Sequence, residues 1–564
     1  MIRPIGLLYA VDEKPPPGVL IFSVAQHVAL ICNSLVFPAL LAREAGLSEY
    51  QLLDSVSLAM LALGVATILF CLKARFLGSG YLAPAGYTPI YFEPSLYALQ
   101  HGGLAMVYGM TIVSGFVQTG IAPVLRRLRA LFPPEIAGLV VAISGLSLAV
   151  LGARYSLGIK GGNGVQPAFL AVAGLTLGTM IGLNIWTKGY PRMFCVMIGA
   201  IVGNVAGVAM GVGDISFSLH GDKFVLFRVP SVEHVGWAFD WALIPPFAVV
   251  ALAGTLNLMG NVSTAQKINN PNWVRPEFRS LSGGLMSNGL ASIFSGFVGS
   301  PGVNSLSSSI GLSSASGVTS RLLGYWIGAA LVAFAFLPVL AAFFVATPEP
   351  VVGASLFFSS AFIFANGLQM ITSRMLDTRK IFVIGLSFAM AVLADVYYDV
   401  FTAAPTALRP LVGNSLVLGT ASAMLLNLIM RIGVRQRETL RLASNGPQAE
   451  VVEQFLADQG ARWGARREIV NSATFGVVQV LEVIGQPPGG VVIEASFDEF
   501  NLDLYVRYAG EPLLIPENKP SPGEIVGSAD GEKLLAGYLL RRSADRIECK
   551  VNDGRTEIQL HYDH

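Results

Sequence analysis

Two segments of this chain place helix-breaking and hydroxyl-bearing residues inside otherwise apolar stretches. One reads Gly80-Tyr81-Leu82-Ala83-Pro84-Ala85-Gly86-Tyr87-Thr88-Pro89-Ile90-Tyr91-Phe92-Glu93-Pro94. The other reads Gly299-Ser300-Pro301-Gly302-Val303-Asn304-Ser305-Leu306-Ser307-Ser308-Ser309-Ile310-Gly311. A continuous helix satisfies its own backbone in hydrocarbon, so a break is tolerated only where the chain lines a cavity or is buried in protein. Matching breaks in two halves of a chain point to the substrate site of a secondary transporter built from an inverted repeat. Glu93 is the ionisable group in the first segment. An intramembrane carboxylate is a functional hypothesis by default, and the bland alternative is an interface glutamate at the end of a span.

The elements that must position these segments are membrane spans. Crossing the hydrocarbon takes about 17–25 apolar residues. About fourteen such stretches can be read, near 18–42, 52–72, 80–96, 103–123, 135–153, 167–186, 192–212, 240–264, 281–298, 304–318, 322–347, 352–373, 381–397 and 411–430. The third and tenth are the interrupted ones. Lys and Arg gather in every even-numbered loop: Lys73 and Arg75; Arg126, Arg127 and Arg129; Lys188 and Arg192; Lys267, Arg275 and Arg279; Arg321; Arg374, Arg379 and Lys380. By the positive-inside rule both termini are expected in the cytoplasm of an inner or plasma membrane. The loop from about 213 to 237 is then outside, and polar enough for a short hairpin. No cleavable signal pattern precedes the first span, so that helix is expected to stay.

Composition agrees. The 564 residues are 53% hydrophobic and 13% charged, with net charge +1 and mean hydropathy +0.60, which excludes a nucleic-acid partner and marks an integral membrane protein. Charges are sparse to about residue 430 and frequent after it. The expected division is a membrane domain at 1–430, a basic linker at 431–447 and a cytoplasmic α/β domain at 448–564. Cys32, Cys71, Cys195 and Cys549 stand singly, without metal-ligand spacing, and read as packing residues. Neither a nucleophile–base pair nor a metal set appears, so an enzyme, a metal and a cofactor are not expected.

Several motifs, taken in order, resemble the nucleobase–ascorbate transporter family of xanthine and uracil permeases over about residues 18–430. They are Gln26-His27 with Asn33 and Pro38 in the first span, and Phe132-Pro133-Pro134 with Gly138 opening the fifth. The eighth holds Asn257, Gly260 and Asn261, the ninth Asn288-Gly289 and Ser295-Gly296, and the tenth ends Gly311…Gly317-Val318-Thr319-Ser320-Arg321. The resemblance implies a 7+7 inverted repeat. Spans one to four and eight to eleven would form a core domain, and spans five to seven and twelve to fourteen a gate domain. Spans three and ten would contain short strands whose half-helix ends face a nucleobase-like substrate, in a homodimer. It implies substrate contacts from Asn257, Asn261, Ser307, Ser308, Ser309 and Gln26, with Tyr87 and Tyr91 able to stack on a flat base. His27 is a structural histidine or a proton carrier; Tyr87 and Tyr91 are alternatively packing aromatics.

One departure matters most. The family carries a glutamate in the eighth span where this chain has Asn257, with Asn261 following. An amide can pair with a base edge but cannot titrate. Either the coupling carboxylate has moved, with Glu93 as its candidate and His27 as a separate proton-carrier candidate, or passage is uncoupled, or the substrate differs, an anion facing the two half-helix N-termini being one such solute. A ligand sensor of the same fold is the alternative to a transporter.

After the basic stretch Arg431, Arg435, Arg437 and Arg441, helices are expected near 448–460 and 465–484. Four strands follow, with a helix near 534–546 and a hairpin through Asn552-Asp553-Gly554. This order resembles the histidine-kinase-type ATPase fold of anti-sigma factors. The family's adenine-binding Asp-x-Gly maps to Tyr508-Ala509-Gly510, and its metal-holding asparagine into Gln479–Glu482. Both key side chains are lacking, so a dimerisation or regulatory module with a cytoplasmic partner is the expectation.

Overall fold

The computed structural model describes residues 7–563 apart from 126–132, 160–164, 189, 213–226, 272, 274–275, 373–375, 377, 398–399, 402, 406–411, 413–414, 431–435, 443–447, 466, 486, 499–500, 514, 517–530 and 553–554. Most of the expected outer hairpin and the tip of the Asn552-Asp553-Gly554 turn lie outside the described residues, as do Arg431 and Arg435. The chain separates into two units, Met1–Asn427 and Leu428–His564.

In the first unit each of the apolar stretches contains helix. Among the described residues seven helices are individually long and apolar enough to cross a membrane, and an eighth span follows if Arg321–Ala335 and Pro338–Ala346, bent by 81°, count as one. The interrupted stretches are not continuous helices. Each opens with a three-residue strand, β1 (Ala85–Tyr87) and β2 (Val303–Ser305), then turns into a helix, Pro89–Ile121 and Ser307–Ser316. The first of these helices breaks again at Gly102 and Gly103, where φ reaches 68° at Gly103. That left-handed value suits a glycine and separates the third span from the fourth.

The two strands pair antiparallel, Ala85 opposite Ser305, Gly86 opposite Asn304 and Tyr87 opposite Val303. A two-stranded ribbon has unpaired edges, and in a membrane protein these must be met from within. Neighbouring spans do so. Ala85 N donates to Thr67 Oγ1 at 3.1 Å and Tyr87 N to Ser34 Oγ at 3.2 Å. Ser292 Oγ donates to the Val303 carbonyl at 3.3 Å, and within the ribbon Leu306 N donates to the Pro84 carbonyl at 3.0 Å.

Helix seams show the duplication. Helices approach closely where small residues remove the side-chain spacer. Glu49–Cys71 meets Arg321–Ala335 through Gly64 and Gly328, where a Cβ on either would lie 2.7 or 2.6 Å from the other's carbonyl oxygen. The fourth span meets the ninth, Phe278–Phe297, through Gly115 and Gly289 at 2.6 and 2.7 Å. Second with eleventh and ninth with fourth are the same pairing in the two halves. The fifth (Pro134–Leu157) and twelfth (Glu349–Ile371) pair with each other, through Gly138 with Gly367 and Gly152 with Gly353.

The second unit is a five-stranded antiparallel sheet in the order β3 (Gln436–Leu442), β4 (Val491–Phe497), β5 (Asn501–Ala509), β7 (Arg555–Asp563), β6 (Arg546–Asn552). Helices Gln448–Trp463, Arg467–Ile484 and Gly531–Ser543 accompany it. Its own core includes Val477, Val480, Ile493, Leu504, Val506, Ile558 and Leu560. Arg437 and Arg441, read from sequence as part of a basic linker, lie on the edge strand β3 in register with Ser496 and Val492.

Candidate functional site

The β1–β2 crossing is the point where the two halves meet, and the eighth span (Ile244–Asn269) runs past it. Its Asn261 is buried and ties the span to β2. Asn261 Nδ2 donates to the Ser305 main-chain carbonyl at 3.0 Å, to Ser305 Oγ at 2.8 Å and to Asn257 Oδ1 at 2.7 Å. Asn257 lies one helical turn earlier and is half-buried. The i,i+4 spacing that puts both amides on one face was legible in sequence; the bond to β2 was not. One turn further back, Asn304 Nδ2 donates to the Gly254 carbonyl at 3.0 Å, and Ser305 N to Asn304 Oδ1 at 2.8 Å.

Each strand leads into a helix N-terminus. Thr88 is the N-cap of the first helix but makes no side-chain capping bond, and its Oγ1 is buried without a partner. Leu306 precedes the second, where Ser307 and Ser308 are exposed while Ser309 Oγ is buried without a partner. First-turn N–H groups have no internal acceptor, and the helix dipole adds partial positive charge there. Thus Asn257, Asn261, Ser307, Ser308 and Ser309 come together around the crossing. Thr88, Asn304 and Ser305 belong with them. Their signal in the sequence was membership of the interrupted segments.

The remaining sequence-derived candidates sit differently. Tyr87 OH donates to the Ala59 carbonyl at 3.0 Å and lies 2.6 Å from Ser300 Oγ. Tyr91 OH lies 3.2 Å from Ser114 Oγ, and the ring is packed so tightly on Gly302 that a Cβ there would stand 2.3 Å from it. Both phenols are buried and engaged with protein. Gln26 and His27 are buried on the first span. His27 Nδ1 donates to the Ser23 carbonyl at 2.8 Å, and Nε2 lies 3.0 Å from Ser313 Oγ on the tenth-span helix. Glu93 falls in the second turn after β1; its side chain lies outside what the structure describes. Among the described residues no cluster of His, Cys, Asp and Glu could hold a metal ion.

A second polar centre lies behind the crossing. Asn288 Nδ2 donates to Gln118 Oε1 at 2.9 Å, and Gln118 Nε2 to the Ala251 carbonyl at 3.3 Å. This fully buried pair joins the fourth, eighth and ninth spans.

The segment before the eighth span packs on the ninth and second spans. Trp237 Nε1 donates to the Gly296 carbonyl at 3.0 Å, and Arg228 pairs with the buried Asp54 at 2.8 Å. Burial holds the His234 imidazole below its ordinary range, against an opposing pull from the Asp54 carboxylate. In the second unit, Tyr508 stands near the end of strand β5, beside Gly510. Its hydroxyl donates to the Glu511 carbonyl at 2.9 Å, and burial pushes it up to about 12.

Comparison with known proteins agrees with this architecture. The chain is 26% identical over 441 residues to the xanthine permease XanP of Escherichia coli, covering 75% of this chain and 94% of that protein. It is 26% identical over 412 residues to the xanthine permease of Bacillus subtilis, covering 72% and 92%. In fold it is similar to the inward-facing structure of murine Solute Carrier 26 family member A9, an anion transporter, at 13% identity and a TM-score of 0.53, covering 77% of this chain and 71% of that one. A family model described as the permease family matches residues 18–399. With its paired broken spans, this multi-pass membrane protein is a transporter and not an enzyme, and it belongs to the permease family of xanthine and uracil carriers.

Proposed function

We propose that the chain carries a nucleobase-type solute of the xanthine, urate or uracil class across the membrane by an elevator-like shift of a core domain against a gate domain. The observation that carries this reading is the face made by Asn257 and Asn261 beside two helix N-termini at the β1–β2 crossing. It offers amide, hydroxyl and main-chain groups of the kind that read the edge of a flat heterocycle. The xanthine permeases named above supply the substrate class.

An elevator needs two rigid bodies and a looser surface between them. The seams at Gly64–Gly328 and Gly115–Gly289 lie within the core spans, and those at Gly138–Gly367 and Gly152–Gly353 within the gate. Near the site, a Cβ on Gly260 of the eighth span would stand 3.4 Å from Met370 Cε of the twelfth, the far end of a flexible side chain. The folded C-terminal unit is read as a regulatory module. Uptake of labelled xanthine, uracil and urate into vesicles holding the purified protein is the test. Failure to take up or bind any of the three would remove the proposal.

A further inference from the structure

We infer that residues 8–13, ahead of the first span, are a positioning part of the solute site, stapling the tenth-span helix to the end of the eighth span. The effect on solute affinity rests on the transport reading above; the staple itself does not.

The motif Gly317-Val318-Thr319-Ser320-Arg321 follows the tenth-span helix Ser307–Ser316 and opens the eleventh span. Residues 8–13 lie along it, with Tyr9 bridging Val318 in parallel. Leu8 N and Tyr9 N donate to the Gly317 carbonyl at 2.7 and 3.0 Å, Thr319 N to the Tyr9 carbonyl at 2.9 Å and Arg321 N to the Val11 carbonyl at 3.0 Å. Side chains add to the pairing. Ser320 Oγ donates to the Glu13 carbonyl at 2.5 Å, and Asp12 pairs with Arg321 at 2.6 Å and with Lys73 at 3.3 Å. Asp12 is itself exposed, so these ion pairs count for little and the main-chain bonds for most. Every residue of the motif thus meets the segment. The motif also reaches the eighth span. The buried Thr319 Oγ1 donates to Asn269 Oδ1 at 2.7 Å, and Asn269 is the last residue of that span. Asn269 Nδ2 is turned away to the Ala265 carbonyl at 2.9 Å, which leaves Oδ1 as the acceptor for Thr319.

What the staple does follows from the helix it holds. Ser307–Ser316 has 10 residues, and helices below about 12–15 residues are marginal by themselves, so contacts at the ends and sides set its direction. One end is held by β2 through the β1–β2 ribbon. The other end turns at Gly317, which is left-handed at a φ of 69°, and the carbonyl of that turn is the one that Leu8 N and Tyr9 N grip. Between the ends, Ile310 packs with Ala265 of the eighth span and with Ala83. Removing residues 8–13 strips the Gly317 carbonyl and the Thr319 and Arg321 N–H groups of these partners. Ser307, Ser308 and Ser309 on the helix and Asn257 and Asn261 on the eighth span then lose part of what keeps their separation fixed.

The test uses the full-length protein with residues 8–13 replaced by a glycine–serine stretch of equal length, beside Thr319→Val and its conservative counterpart Thr319→Ser. Hydrogen–deuterium exchange reads the staple without any solute. Exchange at residues 307–321 should quicken by about tenfold or more in the replaced protein, while the fifth and twelfth spans keep the parent's rates. Binding of radiolabelled xanthine, uracil and urate reads the consequence. Whichever base the parent binds should bind about three- to tenfold more weakly to the replaced protein and to Thr319→Val, as the loss of one hydrogen bond dictates, with Thr319→Ser close to the parent. Exchange at 307–321 equal to the parent's overturns the inference. So does an unchanged affinity in both altered proteins, because a merely structural segment lowers yield and melting but leaves the folded fraction binding as before. A parent that binds none of the three bases removes the transport reading and the affinity effect that rests on it, and exchange then decides the staple alone. Thr319→Val alters one buried group, so the affinity result does not hang on the larger replacement folding.

Discussion

Asn261 grips Asn257 by its carbonyl oxygen at 2.7 Å while holding the Ser305 main chain of β2 with the same amino group. One side chain thus fixes both the span-to-strand distance and the direction of the Asn257 amide. Removing it should loosen both. Asn261→Ala leaves the buried Ser305 carbonyl and Asn257 Oδ1 without a donor, a cost of about 1–3 kcal/mol. Melting of the purified protein should fall accordingly, and base affinity should fall with it. An unchanged melt together with unchanged affinity would show that this amide positions nothing.

The glycine seams make a contrast between two kinds of position. At Gly64 an added methyl meets the Gly328 carbonyl oxygen and main-chain atoms within 2.9 Å. Gly64→Ala should therefore destabilise by about 1–3 kcal/mol. At Gly174 a methyl meets nothing within 4 Å. Gly174→Ala should be neutral or slightly stabilising for the helix. Comparable melting temperatures for the two variants would contradict the seam.

Acid sensitivity should trace in part to the segment before the eighth span. The folded value of His234 is depressed by burial. A depressed value means that the neutral ring is favoured in the folded state. The stability it contributes is complete above the ordinary range near about 6.5 and is lost as pH falls through the depressed value. His234→Gln should flatten that part of the stability–pH curve. A variant with the parent's slope below about pH 6.5 would assign the slope elsewhere.

The C-terminal unit should not respond to nucleotide. The resemblance to a kinase-type ATPase would put an adenine-binding aspartate at Tyr508, whose hydroxyl is bonded to Glu511 O, and a metal-holding asparagine within the segment where Gln479 is bonded to Glu482 at 2.8 Å. Adding ATP with Mg²⁺ should leave its melting unchanged, since a ligand of the folded state stabilises by mass action. A concentration-dependent rise would restore a nucleotide site.

How much of this could be read beforehand follows from the physics of each element. Hydrocarbon thickness dictates the length of apolar stretches, so each could be read as a stretch bearing helix, while among the described residues seven helices, or eight with the bent pair, are long and apolar enough to cross on their own. Gly80, Pro84, Pro301 and Gly302 announced the breaks. The side on which Asn257 offers hydrogen could not be read, because it depends on a carbonyl 44 residues from Asn261. The phenols of Tyr87 and Tyr91 looked free to stack, but their partners Ser300 and Ser114 come from other segments. The edge strand β3 was missed for a related reason. Arg437, Glu438 and Arg441 gave a charged pattern, and the pairing that makes them a strand lies with Val491–Phe497.

The most direct test of the account is a ligand-bound structure of the full-length protein with urate. The account predicts the ring beside the β1–β2 crossing, with acceptor atoms about 2.7–3.2 Å from Asn257 Nδ2 and from the main-chain N–H of Ser308. A ring seated away from the crossing would contradict it.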